Sequence, residues 1–73
     1  MSMRAQLLKQ IGDRVRETRE ARGLSQEELA RKAGCHRTYV GMVERAEKSV
    51  SVERLAALCK ALGTTLSDML RGL

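Results

Sequence analysis

Glycines at positions 23, 34 and 63 divide a chain without a single proline into stretches whose apolar residues recur at helical spacing. Each glycine is a natural left-handed helix stop, because it has no Cβ to clash there. A hydroxyl residue opens three of the stretches: Ser25, Ser51 and Thr65. Ser25-Gln26-Glu27-Glu28 reads as a capping box, in which the serine oxygen meets the Glu28 amide and the glutamate reaches back. Thr65-Leu66-Ser67-Asp68 repeats the pattern with a shorter acid.

These signals predict an all-α chain of five helices in a single domain over residues 1–73. The first helix runs from about Met3 to Arg22, with Met3, Leu7, Ile11 and Val15 at i+4 spacing and Leu8 beside them as an inward stripe. The second follows Ser25, turning Leu29, Ala30 and Ala33 inward, with Leu24 placed to staple onto Leu29. The third starts near His36 and runs to about Arg45. Its cap is expected to be weak, since neither Cys35 nor His36 is a favoured capping residue. Residues 46–50 form a loop. Ser51 caps a fourth helix that ends at Leu62 and buries Leu55, Leu58, Cys59 and Leu62. A short last helix carries Leu66, Met69 and Leu70.

Composition narrows the function. A chain of 73 residues buries a modest core, so it must pack its helices well or associate with a second copy. The net charge of +5 and a pI near 9.9 suit a polyanionic partner, through counterion release; a merely solvated basic surface is the plainer alternative. Cys35 and Cys59 are far apart and form no CxxC pair, so no metal and no cofactor is expected, and a reducing cytoplasm fits. No apolar run approaches a membrane span, and the Met3–Val15 stripe serves better as core than as a membrane-surface face. A single histidine and a small helical frame argue against an enzyme or a small-molecule substrate.

The third helix carries the chemistry. At about 100° per residue, Val40 and Val43 share one side, while Arg37, Thr38, Gly41, Met42 and Arg45 share the other. Tyr39 and Glu44 flank the boundary. One face docks. The other offers two guanidiniums, a hydroxyl with a methyl, a thioether, and a stretch of backbone left bare by glycine. Arginine can donate two bonds to guanine O6 and N7, and threonine can bond a base edge or touch a thymine methyl. Arg37, Thr38, Tyr39, Gly41, Met42 and Arg45 are therefore the candidate base readers. Gln26, at the start of the second helix, offers its amide and its backbone N–H to a phosphate. Lys48 and Ser49 in the loop suit the same role, and His36 is a candidate phosphate neighbour.

The run GLSQEELARKAG followed by HRTYVGMVER resembles the Cro/repressor (Xre-like) helix-turn-helix family. The segment HRTYVGMVER also resembles the controller proteins of restriction–modification systems. The likeness extends over about Ile11 to Leu70. It implies a five-helix repressor-like fold, a helix-turn-helix over about residues 25–44, Arg37 opening the reading helix, and phosphate contact at Gln26. It also implies that Glu44 pairs with Arg19, which agrees with the need of a carboxylate at the core boundary for a partner. The implied function is transcription regulation by a homodimer on a palindromic stretch of double-stranded DNA. A stand-alone phage-type repressor and an antitoxin that holds a partner protein are the rival readings. Leu66, Met69 and Leu73 are the first candidates for the dimer surface, by apolar content and by the same analogy. The family often places glycine where Ala46 stands, so a different end to the third helix is expected here.

Overall fold

A computed structural model describes residues 2–73. The elements, in order, are α1 (Met3–Ala21), α2 (Gln26–Ala33), α3 (Arg37–Glu44), α4 (Val52–Leu62) and α5 (Leu66–Leu70). The described residues contain helices and turns and no strand.

The caps form as the local chemistry requires. Ser25 Oγ accepts from Glu28 N, and Glu28 Oε1 accepts from Ser25 N, closing the capping box. Ser51 and Thr65 cap α4 and α5 through their hydroxyls, on the amides of Arg54 and Asp68. The second capping box expected at Thr65 closes by half only, because the Asp68 carboxylate accepts from Arg71 instead of reaching back to Thr65 N. The start of α3 departs from expectation. His36 is its N-cap, and the imidazole Nδ1 accepts from Thr38 N at 3.0 Å. The imidazole Nδ1, two bonds from Cβ like an aspartate oxygen, reaches the amide that a serine or aspartate oxygen ordinarily would.

The first four helices end on one motif. The amide just past each left-handed residue bonds back five positions: Leu24 N to Arg19 O, Cys35 N to Ala30 O, Glu47 N to Met42 O, and Thr64 N to Cys59 O. The left-handed residues are Gly23, Gly34, Ala46 and Gly63. Ala46 thus holds φ 58°, where an L side chain crowds its own carbonyl. The expectation of a different end to this helix does not hold. The chain keeps the glycine geometry and carries the strain instead.

The core is built from Val15, Leu29, Ala30, Val40, Val43, Leu55, Leu58, Cys59, Leu62 and Met69, all of them buried. α3 lies between α1 and α2, and α2 also packs on α4, so that α3 is seated from behind while its other flank is left to solvent. Gly12 makes the α1–α3 crossing possible. A Cβ there would lie 2.5 Å from the Val43 carbonyl oxygen and 2.8 Å from that of Glu44. Two long donors tie the far end: Arg22 Nε donates to Leu62 O at 2.9 Å, and Arg14 donates to the carbonyls of Met69 and Arg71.

Two expectations are corrected. The inward stripe of α1 begins at Ile11 and Val15; Met3 and Leu7 are exposed, because the first turns of α1 outrun the helices beneath them. Met69 is 4% exposed and belongs to the core, so it is not available to a second copy. The single turn of α5 presses it against the bundle and leaves Leu70 and Leu73 facing outward.

Candidate nucleic-acid interface

The turn Gly34-Cys35-His36 joins α2 to α3, and a buried ionic brace fixes their angle. Arg19 of α1 donates from Nε to Glu44 Oε2 at 2.7 Å and from Nη2 to Glu44 Oε1 at 3.0 Å. Its third nitrogen donates to Leu24 O at 2.9 Å. Gln26 Nε2 adds a donor to Glu44 Oε1 at 3.0 Å. The pair implied by the resemblance is therefore present, and it joins α1, α2 and α3 at one carboxylate. The Glu44 side chain is 3% exposed. A charge so far from water is tolerated only because its lone pairs are filled. The hydrogen bond to Glu44, more than any other factor, raises the Arg19 pKa above its ordinary value.

Outside the brace, α3 presents Arg37, Thr38 and Arg45 to solvent, with Met42 half-buried beside them. Arg37 stands 3.7 Å from Glu27, an ion pair too long for a hydrogen bond. Arg45 is held more firmly: Nε and Nη2 donate to the two carboxylate oxygens of Glu47 at 3.0 and 3.2 Å.

Two of the expected readers are placed otherwise. Gly41 is buried, because the Arg45 side chain folds back toward the helix N-terminus and lies over it. Its missing Cβ makes room for that guanidinium, which would stand 2.9 Å away from one. Tyr39 lies along the α3–α4 seam. The Arg54 guanidinium stacks 4.8 Å from its ring centre, and its hydroxyl is buried with no hydrogen-bond partner among the described residues. Burial pushes the Tyr39 pKa upward, and Arg54 offsets part of that shift. The phenol therefore faces the protein, and the residue that reaches solvent from this seam is Arg54.

The expected phosphate contacts fall into two groups. Gln26 opens α2, where the backbone amides of the first turn have no helical partner. Its side chain spends one N–H on Glu44 and keeps the other. His36 is exposed; accepting at Nδ1 leaves Nε2 to carry the proton of the neutral ring, a donor facing solvent. Lys48 and Ser49 are exposed and line a shallow hollow with Tyr39, Ser51 and Arg54, at the N-terminus of α4. Ser49 Oγ also accepts from Arg4, which ties the loop to the start of α1.

Sequence reasoning missed Gly12 and Arg54. Arg54 had a faint signal: it sits three residues past the Ser51 cap, in the first turn of a helix that follows a basic loop. Gly12 had none, since a glycine inside a helix ordinarily reads only as a propensity cost.

The helix-turn-helix family matches residues 15–69. The chain belongs to this family. Among helix-turn-helix proteins it is 45% identical over 60 residues to control protein C.SmaI of Serratia marcescens, covering 82% of this chain and 71% of that one. The crystal structure of the restriction–modification controller protein C.AhdI from Aeromonas hydrophila superposes with a TM-score of 0.83 at 44% identity, covering 85% of this chain and 94% of that one. The controller protein C.Esp1396I, solved as a tetramer with its natural 35 base-pair operator, superposes with a TM-score of 0.83 at 26% identity, over 94% of this chain and 87% of that one. The five-helix frame and the placement of α2 and α3 are those of the helix-turn-helix family.

Proposed function

We propose that this chain is a sequence-specific, DNA-binding transcription regulator of the controller type, acting as a homodimer on a palindromic operator in the cytoplasm. The observation that carries this reading is the split of α3: Val40 and Val43 seat it in the core, Glu44 locks its angle, and Arg37, Thr38 and Arg45 stand together on the open side. A helix held so rigidly from behind can enter a major groove with its N-terminal residues foremost. Arg37 and Thr38 read base edges, Arg45 reads at the far end, and Met42 packs at their side. Gln26 and the amides of the first turn of α2 hold one phosphate, with His36 Nε2 nearby. Lys48, Ser49 and Arg54 hold another. Controller function follows from the similarity to C.SmaI and C.AhdI.

One such domain covers too little of the groove for tight binding, and two-fold pairing supplies the rest by effective concentration. Leu66, Leu70 and Leu73 form the dimer surface, with Leu70 taking the place first given to Met69. The reading needs no catalytic residue and no cofactor.

The test compares Arg37→Ala with Lys48→Ala on a selected duplex and on random duplex. Arg37→Ala should cost about 1–3 kcal/mol on the selected duplex and relax the preference at one base position. Lys48→Ala should weaken both duplexes alike and lower the salt slope by about one ion. Identical behaviour of the two variants on both duplexes would overturn the assignment of α3 as the reading helix.

A further inference from the structure

The Arg45–Glu47 pair goes beyond what the reading helix requires, and it is built in unusual detail. Three features converge on it. Glycine at 41 leaves the space into which the guanidinium folds. Ala46 accepts a left-handed conformation, which turns the chain so that Glu47 comes back over the end of α3. The carboxylate then takes two of the three guanidinium nitrogens in a fork, at 3.0 and 3.2 Å. Arg37, at the other end of the same helix, has only the loose 3.7 Å contact with Glu27. The two arginines of the exposed face are therefore not equivalent.

We propose that Glu47 sets how much Arg45 contributes to discrimination between duplexes: it occupies the Arg45 guanidinium in the free protein and on non-cognate DNA, and yields it only where the DNA offers a better bidentate partner, so that the cognate complex alone bears the cost of opening the pair. This inference rests on the reading of α3 as a DNA-reading helix. The physical argument is one of matched partners. A forked carboxylate satisfies a guanidinium as a guanine edge does, through two parallel N–H donations. A lone phosphate oxygen encountered out of register offers less, so the pair stays closed and Arg45 contributes nothing to random DNA. At the correct base step the fork opens, Arg45 donates to the base edge, and the freed Glu47 returns to water. The pair is exposed, with side chains 56% and 53% accessible, so opening it is cheap. The pair also holds the Glu47 pKa below the usual carboxylate range, so the gate carries its charge at neutral pH.

The test is Glu47→Gln beside Glu17→Gln, which removes the same charge from α1. Affinities are measured on a duplex selected by the wild-type chain and on random duplex, each across a series of salt concentrations. Glu47→Gln should raise affinity for the selected duplex about three- to fivefold, the reach of an exposed pair that no longer has to open, with the salt slope there unchanged. Random duplex should gain less, because a phosphate is the weaker partner, and its salt slope should steepen by about 0.9, the signature of one added phosphate contact. The ratio between the two duplexes therefore rises. Glu17→Gln should leave the ratio where it was, and thermal melting should show both variants folded. Equal gains on the two duplexes, or the same change from Glu17→Gln, would reduce Glu47 to a bulk charge and overturn the gate. A wild-type chain with no preference between the duplexes would instead overturn the DNA-reading assignment, and the gate with it.

Discussion

Arg19 and Glu44 grip each other through two hydrogen bonds, at 2.7 and 3.0 Å, across a separation of 25 residues. The pair stands at the junction of α1, α2 and α3, and Gln26 completes it. Its burial makes it a structural element first: it sets the angle at which α3 is presented, and it makes no contact with solvent that a base could use.

Removing one partner should therefore unfold rather than retune. Arg19→Ala leaves the Glu44 carboxylate buried with Gln26 alone, and should cost about 3–5 kcal/mol. Arg19→Lys should recover only part of this, since an ammonium cannot fork across both oxygens. Urea unfolding at neutral pH measures it. A stability within about 1 kcal/mol of wild type for Arg19→Ala would contradict the brace.

Gly12→Ala tests the closeness of the α1–α3 crossing. The added Cβ meets two backbone carbonyls, which cannot swing aside as a side chain would. The intrinsic helix gain of alanine is outweighed, and the net loss should be about 1–3 kcal/mol. Because α1 moves away from α3, the Arg19–Glu44 geometry should loosen too. Thermal melting of Gly12→Ala that equalled or exceeded wild type would show that the helices are not in contact there.

Ala46→Gly should act in the opposite direction. Alanine at φ 58° carries a left-handed strain of about 1–2 kcal/mol, and glycine relieves it at the expense of a more flexible unfolded chain. The expected net gain is about 0.5–1 kcal/mol in chemical denaturation. A loss of stability would mean that the end of α3 is not left-handed in solution.

The capping box makes a pH prediction. The Ser25 backbone amide, donating to the Glu28 carboxylate, holds that group below the usual carboxylate range. The folded chain therefore binds the proton more weakly than the unfolded chain. The box contributes in full above the ordinary carboxylate range, and its contribution fades as pH falls through the lowered value. Glu28→Gln retains an acceptor for Ser25 N–H and does not titrate. Between neutral pH and about pH 3, its loss of stability should be shallower than that of wild type. Superimposable acid limbs would remove Glu28 from the account.

What the sequence made legible was local. The Ser25 box, the hydroxyl caps at Ser51 and Thr65, and the glycine stops each depend on a few neighbouring residues, and each formed as read. What escaped depends on tertiary approach. Gly12 matters only because a second helix passes above it. Met69 and Leu70 are adjacent in a one-turn helix, where periodicity is too short to say which one turns inward. Met3 and Leu7 continue a perfect stripe past the end of the surface it packs on. In the site, Arg37, Thr38 and Arg45 follow from the helical wheel alone. Tyr39 and Gly41 do not, because Arg54 and Arg45 fold over them from positions that a wheel of one helix does not describe.

The central claim is that α3 reads DNA on behalf of a two-fold pair. Selection of binding sites from a pool of random duplex DNA, at two salt concentrations, tests it most directly. The predicted result is a pair of inverted half-sites whose centres lie about one helical turn apart, roughly 34 Å, with the same half-sites at both salts and weaker binding at the higher one. Recovery of no preferred sequence at either salt would contradict the claim.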